Sequence, residues 1–217
     1  MKQKKGCLMV FCAHNDDNII GAGGTIAKYA KQGIKVITVI FSYGEMSHPH
    51  LREEVVIDMR VKESLKAQNI LGEDKILYFG LREGSVAEEF REKNISSKIK
   101  KLIEKHQPSK IFTHSIDDPH PDHQAVYSSL NSVLDDIGYR GDVYSFDVWN
   151  IVNFRKRNTP KLVVDITETF KKKIKAFKSH KSQQNAIILL TWSIYLRAIS
   201  NGINNSCKYA EVFVKIR

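Results

Sequence analysis

From Cys7 to His114 the chain alternates short apolar runs with segments of helical period. That alternation restricts it to an α/β fold. Cys7–Cys12 is apolar at every position, as expected of a strand buried on both faces. Ile19–Gln32 has a helical pattern and stops at Gly33. Lys35–Ser42, rich in Val and Ile, reads as a second strand, and Glu53–Leu71 as a helix ended by Gly72. Lys75–Phe79 is a short third strand, Asn94–His106 a helix closed by Gln107-Pro108, and Lys110–His114 a fourth strand. The loop Ser115–His123 leads into a helix running to about Asp136. Later strands are predicted at Asp142–Asp147, Lys161–Asp165 and Tyr209–Ile216, with helices over Thr167–Ser179 and Ala186–Ser200. The order predicts a Rossmann-like, mostly parallel sheet with helices on both faces and right-handed crossovers. With no repeat, linker or low-complexity segment among 217 residues, residues 1–217 are expected to form a single domain.

Two polar clusters interrupt this pattern, each just past a predicted strand. The first is Ala13-His14-Asn15-Asp16-Asp17-Asn18, followed by the small residues Gly21-Ala22-Gly23-Gly24. The second is Asp117-Asp118-Pro119-His120-Pro121-Asp122-His123. In open parallel sheets ligands bind beyond the carboxyl ends of the strands, so both clusters should open on one side. A hydrolytic zinc site commonly takes three N/O protein ligands and leaves one position for water. It also needs a base beside that water and a donor facing the developing oxyanion. His14, Asp17 and His123 would make a His₂Asp ligand set, Asp16 would be free to take a proton, and His120 could face the substrate. Taken singly, these residues have blander readings: Asp and Asn after strands often serve turns and helix caps. Asp122 either caps the helix that follows or supports the site, or else takes a direct catalytic role.

The clusters resemble the motifs of the PIG-L/LmbE-like family of zinc-dependent N-acetylglucosamine de-N-acetylases. That family's Ala-His-Pro-Asp-Asp-Glu is matched by Ala13–Asn18, and its His-Pro-Asp-His by His120–His123. Further similarities follow in order across about residues 7–215. They are Gly21–Thr25, Gly44-Glu45, Arg60 with Glu63 and Leu71-Gly72, His180-Lys181-Ser182-Gln183, and Tyr209–Phe213. The resemblance implies that His14, Asp17 and His123 hold Zn²⁺ or another divalent transition metal, and that Asp16 is the general base. It implies that His120 stabilises the tetrahedral intermediate or protonates the leaving amine, and that Arg60 contacts substrate. A salt bridge to a nearby acid is an equal reading of Arg60. The implied reaction is metal-dependent hydrolysis of an N-acetyl group from a small-molecule amino-sugar conjugate, releasing acetate. Two positions depart from the motif: Asn15 stands for proline, and Asn18 for glutamate, removing a negative charge near the metal.

Other residues rank lower. His48 and His50 could line the mouth of the site or sit on an exposed loop. His114 ends the fourth strand, and His180 could reach the site from the later chain or make a structural bond. Trp149 and Trp192 are expected in the core or a pocket wall.

Composition narrows the alternatives. The hydrophobic share of 42% excludes full-length disorder. No apolar run approaches the ~20 residues that span a bilayer. Lys2–Lys5 before Cys7–Ala13 imitates a secretion leader, but the run is short and no small-residue cleavage site follows. Three scattered cysteines, Cys7, Cys12 and Cys207, point to a reducing, cytoplasmic setting. The net charge of +10 suits an anionic partner or simple solubility. Its densest run, Lys171–Lys173 with Lys175 and Lys178, reads as one solvated helix face. No basic stripe interleaved with aromatics is present, so nucleic acid is not an expected partner. The rival functions are an amidase on a non-sugar N-acyl amine, or a non-catalytic metal- or nucleic-acid-binding protein. A homo-oligomer stays open, with an edge strand or an exposed apolar helix as the candidate surfaces.

Overall fold

A computed structural model describes residues 6–150 and 159–217, and for residues 184–188 it describes the backbone only. Lys2–Lys5 lie outside the described residues. The strands are β1 (Cys7–Cys12), β2 (Lys35–Ser42), β3 (Lys75–Leu81), β4 (Lys110–His114), β5 (Asp142–Phe146), β6 (Lys161–Asp165) and β7 (Ala210–Lys215). The helices are α1 (Asp17–Lys31), α2 (Glu53–Leu71), α3 (Val86–Glu92), α4 (Ile95–His106), α5 (Pro121–Asp136), α6 (Phe170–Phe177) and α7 (Gln184–Asn204). The strands form one seven-stranded sheet in the order β3-β2-β1-β4-β5-β7-β6. β1 to β5 pair in parallel, and β7 runs antiparallel to both β5 and β6.

Both faces of the sheet are covered, which explains why β1 has no polar residue. Leu8, Val10 and Cys12 pack into the layer formed with α1, α6 and α7, while Met9, Phe11 and Ala13 pack toward α4 and α5. β2 alternates likewise, Val36 and Ile40 against Ile37, Val39 and Phe41. The chain builds outward from β1 to β3 and then returns to place β4 on the other flank of β1. The crevice at such a reversal is where open α/β sheets bind ligands. Here it lies between the carboxyl ends of β1 and β4, which carry the two clusters.

Some elements differ from expectation. α3 carries no clear signal, being a seven-residue helix rich in Glu with only Val86 fully buried. α6 begins at Phe170 rather than Thr167, because Asp165 Oδ1 accepts from the N–H and hydroxyl of Thr167 and holds a turn there. The lysine run does not all face solvent: Lys173 is 3% exposed, pairs with Glu211 at 2.6 Å and donates to the Ile20 carbonyl at 2.8 Å. Glu211 in turn accepts from the N–H groups of Gly24 and Thr25 in α1. This buried pair ties α1 to α6 and β7. Glycine at position 21 lets α1 lie on the sheet, since a Cβ there would stand 2.2 Å from the Phe146 ring.

Candidate metal centre

His14 follows β1, Asp17 opens α1, and His123 sits in the first turn of α5. All three are buried. Asp17 Oδ2 is the meeting point. It lies 3.4 Å from His123 Nε2 and 3.5 Å from His14 Nδ1, and it accepts the His14 backbone N–H at 2.7 Å. Both ring nitrogens of His123 are buried and neither makes a well-formed hydrogen bond within the protein.

Burial opposes charge on His14, but hydrogen bonds to Asp122 and Asp17 outweigh it and lift the ring to about 10. His123 shows the same balance: burial lowers its pKa, the Asp17 charge and the contact to Asp118 raise it more, and it reaches about 9. Asp17 is held well below the usual carboxylate range, burial being overcome by the neighbouring His123 and His114. A buried carboxylate flanked by rings that attract protons is a pocket made for positive charge. Two imidazoles and one carboxylate suit zinc or another divalent transition metal.

The contacts that support these side chains are as specific as their placement. Asp118, fully buried, places Oδ1 2.9 Å from His123 Nδ1. Its Oδ2 accepts the N–H groups of Val148 at 2.9 Å and Trp149 at 3.1 Å. Burial alone would raise the Asp118 pKa, but His123 and the N–H groups of Val148 and His120 bring it down to about 2. Asp122 Oδ2 contacts His14 Nε2 at 3.3 Å and accepts the Gly84 N–H at 2.8 Å. With Nε2 engaged, His14 turns Nδ1 toward Asp17. Two other groupings could also hold an ion, His14 with His120 and Asp122, and His114 with Asp118 and His123. In the first, His120 Nδ1 accepts the Asp122 N–H at 3.2 Å, which leaves Nε2 as the ring nitrogen it could offer. In the second, His114 Nε2 accepts the Ala13 N–H at 3.0 Å and lies 3.3 Å from Asp17 Oδ2, while its Nδ1 is buried without a hydrogen bond.

Asp16 and His120 flank this centre. Asp16 Oδ1 lies 3.3 Å from Arg60 Nη2, and Arg60 Nη1 donates to the Gly44 carbonyl at 3.1 Å. Arg60 is 3% exposed, so the structure shows the salt bridge and commits the guanidinium to Asp16 and Gly44. Gly44 has φ +69°, and a Cβ there would stand 2.3 Å from Arg60 Nη1, so only glycine admits this approach. His120 is the N-cap of α5. Because its Nδ1 accepts from Asp122 N–H, the proton of the neutral ring is on Nε2. Burial, with the charges on His14 and His123, lowers its pKa and keeps it neutral.

The remaining histidines separate cleanly. His114 stacks on His123 with centroids 3.8 Å apart, and burial and the His123 charge depress it to about 4. His180 is fully buried, 4.0 Å from Glu63, which also accepts the Ser182 N–H and hydroxyl. His48 contacts Ser47 at 3.1 Å, His50 is exposed, and neither joins a ligand group among the described residues. The tryptophans correct the expectation of core packing. Trp149, just past β5, is 37% exposed, and Trp192 is 72% exposed because α7 turns its Leu190–Ile194–Ala198 side to the sheet and Trp192 away from it. Asn18 does not face the centre: it donates to Glu73 Oε1 at 3.1 Å, and Thr38 holds the other oxygen. Sequence reasoning missed Asp118 and Glu73. Asp118 stood in view two residues before His120, whereas nothing local marks Glu73.

The fold and the buried cluster at the β1/β4 crevice define an α/β protein of the PIG-L type. The chain belongs to the PIG-L family, whose model, described as GlcNAc-PI de-N-acetylase, matches residues 9–134. It is 29% identical over 217 residues to the diacetylchitobiose deacetylase of Thermococcus kodakarensis, covering 91% of this chain and 78% of that one. It is 26% identical to the 4-oxalmesaconate hydratase of Pseudomonas putida, covering 90% and 79%. The structure of the N,N'-diacetylchitobiose deacetylase from Pyrococcus horikoshii superposes with a TM-score of 0.80 at 24% identity, covering 97% of this chain and 83% of that one.

Proposed function

We propose that this protein is a metal-dependent hydrolase that removes an N-acetyl group from an amino-sugar-type substrate and releases acetate. The observation that carries the reading is the meeting of His14, Asp17 and His123 around one buried carboxylate oxygen, with Asp16 and His120 beside it. Kinship with a diacetylchitobiose deacetylase supports the substrate class. The metal is read as zinc from its ligand chemistry.

His14, Asp17 and His123 would hold the ion. A divalent ion there supplies Lewis acidity and brings the pKa of a water toward ~7. Arg60 fixes Asp16 through Oδ1, leaving Oδ2 to accept the proton of the attacking water. His120 offers its Nε2–H to the oxyanion as the amide carbon becomes tetrahedral. The leaving nitrogen takes up the proton collected by Asp16, so the transfers balance within one turnover. Asp118 and Asp122 keep the two ligand rings in register.

Residues 1–217 are read as one catalytic unit in a reducing, cytoplasmic setting, which the three free cysteines suit. Among the described residues no helix is long and apolar enough to cross a membrane.

A second reading is supported by the hydratase relative: the same base and metal could add water to a carbon–carbon double bond. The test measures acetate release from N,N'-diacetylchitobiose and N-acetylglucosamine conjugates with zinc-loaded protein, beside hydration of 4-oxalmesaconate. Acetate release that is lost in Asp16→Ala supports deacetylation. Hydration without acetate release overturns it.

A further inference from the structure

β4 ends at His114 and β5 at Phe146, and the two residues pair in register. The chain leaves β5 through Asp147, Val148 and Trp149, beside the loop from β4 that carries Asp118, His120 and His123. Val148 turns into the core and is 1% exposed, so its neighbour Trp149 is turned out and left 37% exposed. An indole is usually well buried. This one meets solvent at the carboxyl end of the sheet, where open α/β folds take their ligands.

The backbone beneath it is held at three successive residues. Arg197, reaching across from α7, donates to the Asp147 carbonyl at 2.7 Å. Asp118 Oδ2 accepts the N–H groups of Val148 and Trp149 at 2.9 and 3.1 Å. Oδ1 of the same carboxylate stands 2.9 Å from His123 Nδ1. One buried side chain therefore sets both a ring of the metal centre and the backbone of the exposed indole. A rigid aromatic on a fixed backbone has little freedom left to lose on binding.

The flat side of a pyranose ring suits such a surface. Its axial C–H groups form an apolar patch edged by hydroxyls, and they carry the slight positive charge that the face of an aromatic ring attracts. An open-chain acyl amine offers no such face. We propose that Trp149 is the platform on which the sugar ring of the substrate stacks, and that it selects a cyclic amino sugar over an open-chain N-acyl amine. This rests on the deacetylase reading above.

Replacing the side chain leaves the backbone N–H on Asp118, so zinc content should stay at the wild-type level. In zinc-loaded protein, Trp149→Ala should raise KM for N,N'-diacetylchitobiose about tenfold with kcat within about twofold, the mark of a lost aromatic contact. Trp149→Tyr should keep KM near wild type. A second measurement needs no turnover. Glucosamine titrated into wild type should shift the tryptophan emission saturably, and N-acetylethanolamine, which has no ring, should not. In Trp149→Phe, where Trp192 is the remaining tryptophan, the shift should vanish. An unchanged KM in Trp149→Ala overturns the platform, as does a sugar-induced shift that is absent from wild type or survives in Trp149→Phe. A joint fall in kcat and zinc content marks a structural role and overturns it too. Acetate release with a silent Trp149 leaves the deacetylase reading standing without the platform. A Trp149-dependent shift in a protein that releases no acetate does the reverse.

Discussion

Asp118 Oδ1 stands 2.9 Å from His123 Nδ1, and neither side chain is exposed to solvent. This contact turns Nε2 of His123 toward Asp17 and makes the imidazole a better donor. Removing such a support typically weakens metal affinity ~10–100-fold. Asp118→Asn should therefore lower zinc affinity by that factor, measured by competition with a chromophoric chelator. Unchanged affinity would show that ring packing alone positions His123.

Asp16 and Asp17 are neighbours in sequence with different assignments, and substitution separates them. Asp16→Ala should retain about one zinc per chain and lose ~10²–10⁴ in turnover. Asp17→Ala and His123→Ala should lose the metal itself. Elemental analysis beside acetate release checks both halves.

Gly44 holds Arg60 against Asp16 by lacking a side chain. Gly44→Ala would place a methyl 2.3 Å from Arg60 Nη1 in a left-handed backbone. The guanidinium must move, and Asp16 with it. Misplacement of a catalytic group by ~1 Å can cost ~10²-fold, so kcat should fall by that order while zinc content holds. A preserved kcat would show that Arg60 does not set the base.

Glu73 makes stability depend on pH. Burial raises its pKa to about 7, against the hydrogen bond from Thr38 that lowers it. The folded state therefore keeps this proton where the unfolded chain has lost it. Stability is full below the unfolded pKa of ~4.5, falls as pH rises to about 7, and levels off above, by on the order of 3 kcal/mol. Glu73→Gln should remove that slope and raise the melting temperature at pH 8 but not at pH 4. Parallel melting curves for the two proteins at both pH values decide it.

Lys173 and Glu211 are both buried, 2.6 Å apart. Lys173→Met strands the carboxylate beside α1 and should cost ~3–5 kcal/mol. Burial already pulls the lysine pKa down. Denaturant unfolding of the single variant, and of the same variant carrying Glu211→Gln, should show part of the loss recovered in the double.

The parallel half of the sheet was legible because its strands are buried on both faces and read as continuous apolar runs. β1, β2 and β4 fall where expected, to the residue, as does the antiparallel edge strand β6. α3 was not, since a short helix with one buried side chain leaves no periodic trace. The two polar clusters were legible because each is contiguous and follows a strand. Arg60 was legible as a candidate, but its alternatives stayed level until its contacts to Asp16 and Gly44 were seen.

The sequence by itself determined the α/β alternation and which metal-binding side-chain types gather in Ala13–Asn18 and His120–His123, because both are local: periodicity follows from burial, and donor types from side-chain chemistry. Tertiary structure decided what depends on distance. Only the pairing of β1 with β4 brings Asp17 to His123 across more than a hundred residues. Only packing showed that Lys173 is buried, that Asn18 answers Glu73 rather than the metal, and that Trp149 and Trp192 are exposed. Burial belongs to the neighbours a residue finds in space, and sequence adjacency does not encode them.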